Sequence, residues 1–145
     1  MKKVFFAMGL AFGLFSMGNA LAQHPEAHKL DKQIEAAMDT ATHNMMLFIL
    51  KQDTSYYSTA LSEVERAKSL TKQYQKLVAQ EKGLSSKTDS EEAAYLVDEI
   101  NMFYKPNLKQ TVLNDKKKTE KYKYRGQNYM VGSKSKTLLD QFAAE

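Results

Sequence analysis

The fold is decided by residues 26–50, which read EAHKLDKQIEAAMDTATHNMMLFIL. Apolar side chains recur there at heptad-like spacings of four, three, four and three residues: Ile34, Met38, Ala41, Met45 and Phe48. Such spacing places the side chains on one side of a helix, as in a coiled coil. Pro25 suits the helix start, where its missing N–H costs no hydrogen bond. We therefore expect a long amphipathic helix from about Glu26 to Leu50.

A second stripe predicts a helix from about Ser55 to Glu81. Its members alternate at spacings of three and four: Tyr57, Ala60, Val64, Ala67, Thr71, Tyr74 and Val78. The polar residues 52–55 supply a turn and helix caps before this helix, and Gly83 is a suitable stop after it. Because the connection is short, the two helices are expected to form an antiparallel hairpin.

The rest of the chain predicts smaller elements. A third helix carries apolar residues from Ala93 to Tyr104, after which Pro106 either kinks it or starts a new helix. Residues 119–131 can form a short β-hairpin or an irregular basic loop, and residues 135–144 a final helix. The predicted fold class is all-α, a small antiparallel bundle of three to four helices.

Composition excludes several classes of protein. The 145 residues include no Cys, so disulfides, thiol catalysis, Fe–S clusters and thiolate zinc sites are ruled out. Hydrophobic residues make up 43% and charged residues 26%, which is typical of one globular domain.

The N-terminus predicts a secretory signal peptide over residues 1–22. Lys2 and Lys3 precede an apolar run, and Ala20 and Ala22 form a small-x-small cleavage site. The single helical domain would then span residues 23–145, in the periplasm or outside the cell, without stable insertion into the membrane. An uncleaved signal anchor is the alternative, since the uncharged run from Val4 to Ala22 nearly suffices to cross a bilayer.

Histidines offer weak metal-site candidates. His24 and His28 are four residues apart but lack a third ligand, and His43 lies beside methionines that belong to the apolar stripe. We predict no metal site and no cofactor. No Glu stands three residues before a His, and no G-x-S-x-G or glycine-rich phosphate loop occurs, so an enzyme is not expected.

The strongest functional feature is a basic, Tyr-containing stretch near the C-terminus. Residues 105–136 hold ten basic and two acidic residues, whereas residues 23–104 hold nine basic and thirteen acidic ones. The predicted partner-binding residues are Lys116, Lys117, Lys118, Lys121, Tyr122, Lys123, Tyr124, Arg125 and Tyr129. Clustered positive charge attracts anionic partners, and neighbouring tyrosines can anchor an interface.

This pattern predicts a non-enzymatic binding protein whose partner is a protein or an anionic envelope component. A nucleic-acid partner is not expected in an exported protein, and the stripes also allow a homodimer. Two other interpretations remain. The positive charge could pair with the acidic first half of the chain. A small ligand or metal could instead occupy a core pocket lined by Met38, Met45, Phe48, Tyr74, Phe103 and Tyr104.

Overall fold

A computed structural model describes residues 25–80 and 97–143 of the chain. In these residues the elements are α1 (Pro25–Lys51), α2 (Thr54–Gln80), α3 (residues 97–103), α4 (Leu108–Asn114), β1 (Glu120–Tyr124), β2 (Gln127–Val131) and α5 (Ser133–Ala143). The fold is mostly helical with a long α1–α2 hairpin, as predicted, and the described residues 120–131 form a small antiparallel sheet where the sequence allowed either a β-hairpin or a loop. The predicted leader, His24 and the stop at Gly83 lie outside the described residues.

The turn between α1 and α2 is built by backbone and side-chain caps. Gln52 adopts a left-handed φ of 56°, and its N–H donates to the carbonyl of Phe48 at 2.7 Å, which ends α1. The Asp53 carboxylate accepts hydrogen bonds from the Ser55 N–H at 2.9 Å and the Ser55 hydroxyl at 2.7 Å. Asp53 therefore caps α2, and the predicted polar turn is confirmed.

Both predicted stripes lie in the helical interface. All five stripe residues of α1 are buried, and among the described side chains of α2 the buried ones are Ala60, Val64, Ala67 and Tyr74. The ring of Phe48 packs on that of Tyr57 with centroids 5.0 Å apart. The side chain of Val78 lies outside the described residues.

One buried position of α1 carries a charge-bearing group. Asp31 lies three residues before Ile34, so it occupies a stripe position, and it is only 1% exposed. Neither of its carboxylate oxygens has a hydrogen-bond partner within the described part of the chain. Burial and the nearby Glu35 carboxylate raise the pKa of Asp31 to about 7, against an opposing effect of Lys32.

Pro106 separates two helices. The chain leaves the helical conformation after Phe103, passes through a turn with Asn107 at a φ of 64°, and re-enters it at Leu108. The structure thus decides between the two roles that the sequence allows for Pro106. Proline disfavours the helical conformation in the preceding residue, Lys105, which accounts for the break.

The C-terminal elements pack around one end of α1. α5 contacts both α1 and α4, β2 contacts α1, and β1 contacts α5. The rings of Phe103 and Phe142 pack with centroids 5.1 Å apart, which joins α3 to α5. No helix in the described part of the chain is long and apolar enough to cross a membrane.

Candidate functional site

The basic stretch forms a β-hairpin with a two-residue turn. β1 and β2 pair antiparallel, so that Lys121 lies opposite Met130 and Tyr122 opposite Tyr129. Arg125 and Gly126 form the turn with φ values of 50° and 83°. Positive φ at both positions is typical of a type I′ turn, whose twist matches that of the strands. Gly126 adopts this conformation without a penalty, whereas Arg125 is a residue that rarely does so.

The hairpin places the predicted lysines and tyrosines on opposite faces. Successive side chains of a strand alternate between faces, so Lys121 and Lys123 are exposed while Tyr122 and Tyr124 are half-buried against the core. Tyr129 is also half-buried, and its hydroxyl donates to the Gln127 side-chain oxygen at 2.8 Å. The tyrosines therefore attach the hairpin to the helices, and the two lysines of β1 stay exposed to solvent.

Residues 116–119 lie between α4 and β1 and carry the other three predicted partner-binding lysines, Lys116, Lys117 and Lys118. This segment is held at its start by Asp115, whose carboxylate accepts the Ser135 N–H at 2.7 Å in the first turn of α5. The Gln52 side-chain amide donates to the Asp115 carbonyl at 3.1 Å and to the Val112 carbonyl at 2.7 Å. The basic segment is thus fixed to both the α1–α2 turn and α5.

We call the exposed basic surface the lysine face. It consists of Lys116, Lys117, Lys118, Lys121 and Lys123, all exposed. None of the five forms an ion pair with a carboxylate of residues 25–80 or 97–143. Among the described residues, the structure therefore gives no support to the interpretation that the acidic first half of the chain neutralises these charges.

A histidine joins the hairpin to α1. His43 Nδ1 lies 2.8 Å from the Tyr124 hydroxyl, and the two rings stack with centroids 5.8 Å apart. Burial, and secondarily the positive charge of Arg125, lower the pKa of His43, which keeps the imidazole neutral at neutral pH. Burial raises the pKa of Tyr124, with Arg125 opposing it. Both groups are therefore neutral, and their hydrogen bond holds β1 against α1.

The described histidines are not gathered into a metal centre. His28 is exposed near the start of α1, and His43 lies 15 residues further along, about 22 Å up the helix axis. Within residues 25–80 and 97–143, no group of three or more His, Cys, Asp or Glu side chains could hold a metal ion. The pairing of His24 with His28 lies outside the described residues.

The residues of the predicted core pocket form packed core. Met38, Met45, Phe48, Tyr74 and Phe103 are at most 6% exposed and belong to one hydrophobic cluster. Tyr104 instead is 41% exposed, and its hydroxyl donates to the Glu65 carboxylate on α2.

Two features of this region were missed by sequence reasoning. Met130 is 47% exposed on the outer face of β2, beside the lysines. A cleft of about 290 Å³, which we call the hairpin cleft, lies between β1, α1 and α5. It is lined by Thr42, Met46, Tyr122, Lys123, Tyr124, Arg125, Phe142 and Ala143. Strand alternation could have predicted the exposure of Met130, but no sequence signal predicts the cleft, because its walls are distant along the chain.

Comparisons with protein-family models, with curated proteins and with solved structures found no match for this chain. The geometry and charge of the hairpin are therefore the basis for assigning a function.

Proposed function

We propose that this chain is an exported, non-enzymatic binding protein that uses the lysine face to engage an acidic surface of a protein partner. The observation that carries the proposal is that all five lysines are exposed and unpaired with any described carboxylate. Such a cluster costs stability through like-charge repulsion, which an acidic partner would relieve.

Two of the lysines are placed so that they act together. Lys121 and Lys123 lie on the same face of β1, about 7 Å apart along the strand. That separation is shorter than the Debye length of about 10 Å at 0.1 M salt, so their fields add at the surface. Complementary charge of this kind mainly raises the association rate and selects the partner.

Met130 favours a protein partner over a bare polyanion. Its side chain is 47% exposed on the face that carries Lys121, its cross-strand neighbour. Methionine is enriched in protein interfaces, where its flexible thioether adapts to a partner's surface. An apolar contact bordered by cations fits an acidic protein surface that has an apolar centre.

The test is crosslinking capture from the envelope fraction of the native host, at 50 mM and 500 mM NaCl. The reversal variant carries Lys117→Glu, Lys118→Glu and Lys121→Glu. Its control carries Lys29→Glu, Lys72→Glu and Lys76→Glu, which produce the same change in net charge on exposed positions of α1 and α2. We expect one partner to be captured at low salt by the wild type and the control, and lost with the reversal variant or at high salt.

Capture that persists at high salt and survives the reversal would contradict the proposal. Vesicles containing phosphatidylglycerol serve as a second probe. Binding to these vesicles that depends on the lysine face, without any captured protein, would assign the face to lipid instead. A Met130→Ala variant should weaken capture of a protein partner without changing its dependence on salt.

A further inference from the structure

The hairpin cleft differs from the lysine face in both shape and chemistry. It is concave, and aromatic and apolar side chains make up most of its wall: Met46 from α1, Tyr122 and Tyr124 from β1, and Phe142 from α5. Its volume of about 290 Å³ lies at the small end of the range of roughly 300–1,000 Å³ typical of ligand pockets. A molecule with one ring fits this space.

A positive charge stands at the turn end of the cleft. Arg125 lines the cleft, and its guanidinium lies 5.5 Å from the centre of the Tyr124 ring. No described carboxylate forms an ion pair with Arg125. Lys123 adds a second cation to the same wall. A guanidinium can donate two parallel hydrogen bonds to a carboxylate, which makes it suited to this group.

Tyr122 offers a neutral hydrogen-bond donor in the same wall. Its hydroxyl makes no hydrogen bond with another described residue. Burial, then the Asp140 carboxylate, raise the pKa of Tyr122, so the hydroxyl keeps its proton. The charge of Asp140 is balanced by Lys136, whose ammonium lies 2.9 Å away. The Thr42 hydroxyl already donates to the Met38 carbonyl at 2.9 Å.

The backbone of Arg125 is a further sign of a specific role. Asn or Gly would adopt a φ of 50° at this turn position with less strain than Arg. Strained backbone is found disproportionately at binding sites, where a particular side chain is needed in a particular place.

We propose that the hairpin cleft binds a small aromatic carboxylate, with its ring against the apolar wall of the cleft and its carboxylate at Arg125 and Tyr122. A cationic ligand would be repelled by Arg125 and Lys123. A neutral apolar ligand would leave both the guanidinium and the Tyr122 hydroxyl without a new partner. The site shares Lys123 with the lysine face but none of the other four lysines, and its remaining wall lies on the side of the hairpin that packs against the helices.

Calorimetry and ¹⁵N NMR with 3-phenylpropanoate at pH 7.5 test this site. 3-Phenylpropanamide is the matched neutral probe, since it has the same shape without the charge. For a ligand of this size we expect one site with a dissociation constant of about 0.1–1 mM. The largest shift changes should fall on residues 122–126 and 142, and the amide should bind at least tenfold more weakly.

Two variants test whether the Arg125 guanidinium binds the carboxylate of the ligand. Arg125→Asn removes the guanidinium at a turn position that Asn tolerates, and Lys29→Gln removes one distant positive charge from α1. We expect Arg125→Asn to weaken 3-phenylpropanoate at least tenfold and Lys29→Gln to leave it unchanged. The lysine reversal variant should also bind 3-phenylpropanoate normally, which separates this proposal from the proposed function.

Several results would overturn the proposal. These are equal binding of the acid and the amide, an unchanged affinity in Arg125→Asn, shift changes away from the cleft, and no binding to the wild type at 10 times the expected dissociation constant.

Discussion

The α1–α2 hairpin and the β1–β2 hairpin are both antiparallel amphipathic pairs, but they are stabilised in different ways. The helical pair buries a stripe along two helices of 27 residues each, and each helix provides the other's apolar surface. The strands have five residues each, and two such strands alone are marginal in water. The β-hairpin therefore depends on the helices that its tyrosines contact.

This difference explains where function can lie. The outer face of α2 carries ordinary surface ion pairs, such as Arg66–Glu63 at 3.3 Å. The β-hairpin uses one face for attachment and leaves the other free, with the hairpin cleft along its attached side. Short strands thus present charge and a cleft on a rigid helical support.

Removing Phe48 should damage the whole molecule. The side chain is fully buried between the helices and packs on Tyr57. Phe48→Ala should lower the free energy of unfolding by about 3–5 kcal/mol, since it deletes a core ring and leaves a cavity. Urea denaturation measures the loss. Val97→Ala, at a position that is 55% exposed, is the control and should change stability by less than about 0.5 kcal/mol.

Asp31 should make the helical hairpin sensitive to pH. Its pKa is raised from 3.8 to about 7 in the fold, so between these values the folded chain holds a proton that the unfolded chain has lost. The contribution of Asp31 to the free energy of unfolding therefore falls as pH rises from about 4 to 7, by up to about 4 kcal/mol. Urea denaturation from pH 4.5 to 8 should show Asp31→Asn gaining on the wild type as pH rises.

Because wild type and Asp31→Asn share all their other carboxylates, the difference in stability between them isolates the effect of Asp31 on the pH dependence. Hydrogen bonds from Ser55 lower the pKa of Asp53, and a hydrogen bond from Tyr104 lowers that of Glu65, which gives the opposite trend with pH. Both groups are present in wild type and variant. A difference in stability that is constant across this pH range would show that Asp31 is not buried as described.

The two faces of β1 should respond differently to truncation. Tyr124→Ala removes a half-buried ring and its hydrogen bond to His43, and should cost about 2 kcal/mol. Lys123→Ala, one residue away on the exposed face, should stay within about 0.5 kcal/mol of wild type. Thermal or urea unfolding of both variants provides the test. Equal losses of stability in the two variants would mean that the Lys123 side chain also packs against the protein.

Arg125→Asn should have the smallest effect on stability, and in the opposite direction. Asn tolerates the φ of 50° better than Arg, so the variant should gain about 0.5 kcal/mol. Because Arg125 is the secondary cause of the lowered pKa of His43, that pKa should rise partway toward 6.5. An NMR titration of the His43 ring measures this change, and an unchanged pKa of His43 would place the guanidinium elsewhere.

Much of the fold could be predicted because its largest signals are local. Heptad-like spacing marked α1 and α2 within a residue or two of their observed ends, and the Asp53 cap was visible in the turn sequence. The apolar spacing did not predict the burial of Asp31, because this residue occupies a stripe position with a carboxyl group instead of an apolar side chain. The sequence grouped tyrosines and lysines into one predicted site, whereas β1 places them on opposite faces.

The sequence by itself determined α1, α2, the turn between them and the position of the basic segment, because these depend on the spacing of residues that are close along the chain. Tertiary structure alone decided that Pro106 separates two helices, and that residues 120–131 form strands rather than a loop. It also decided that His43 meets Tyr124 across 81 residues and that a cleft opens beside them. Those features require distant segments to pack together, and no local pattern of side chains specifies which segments will meet.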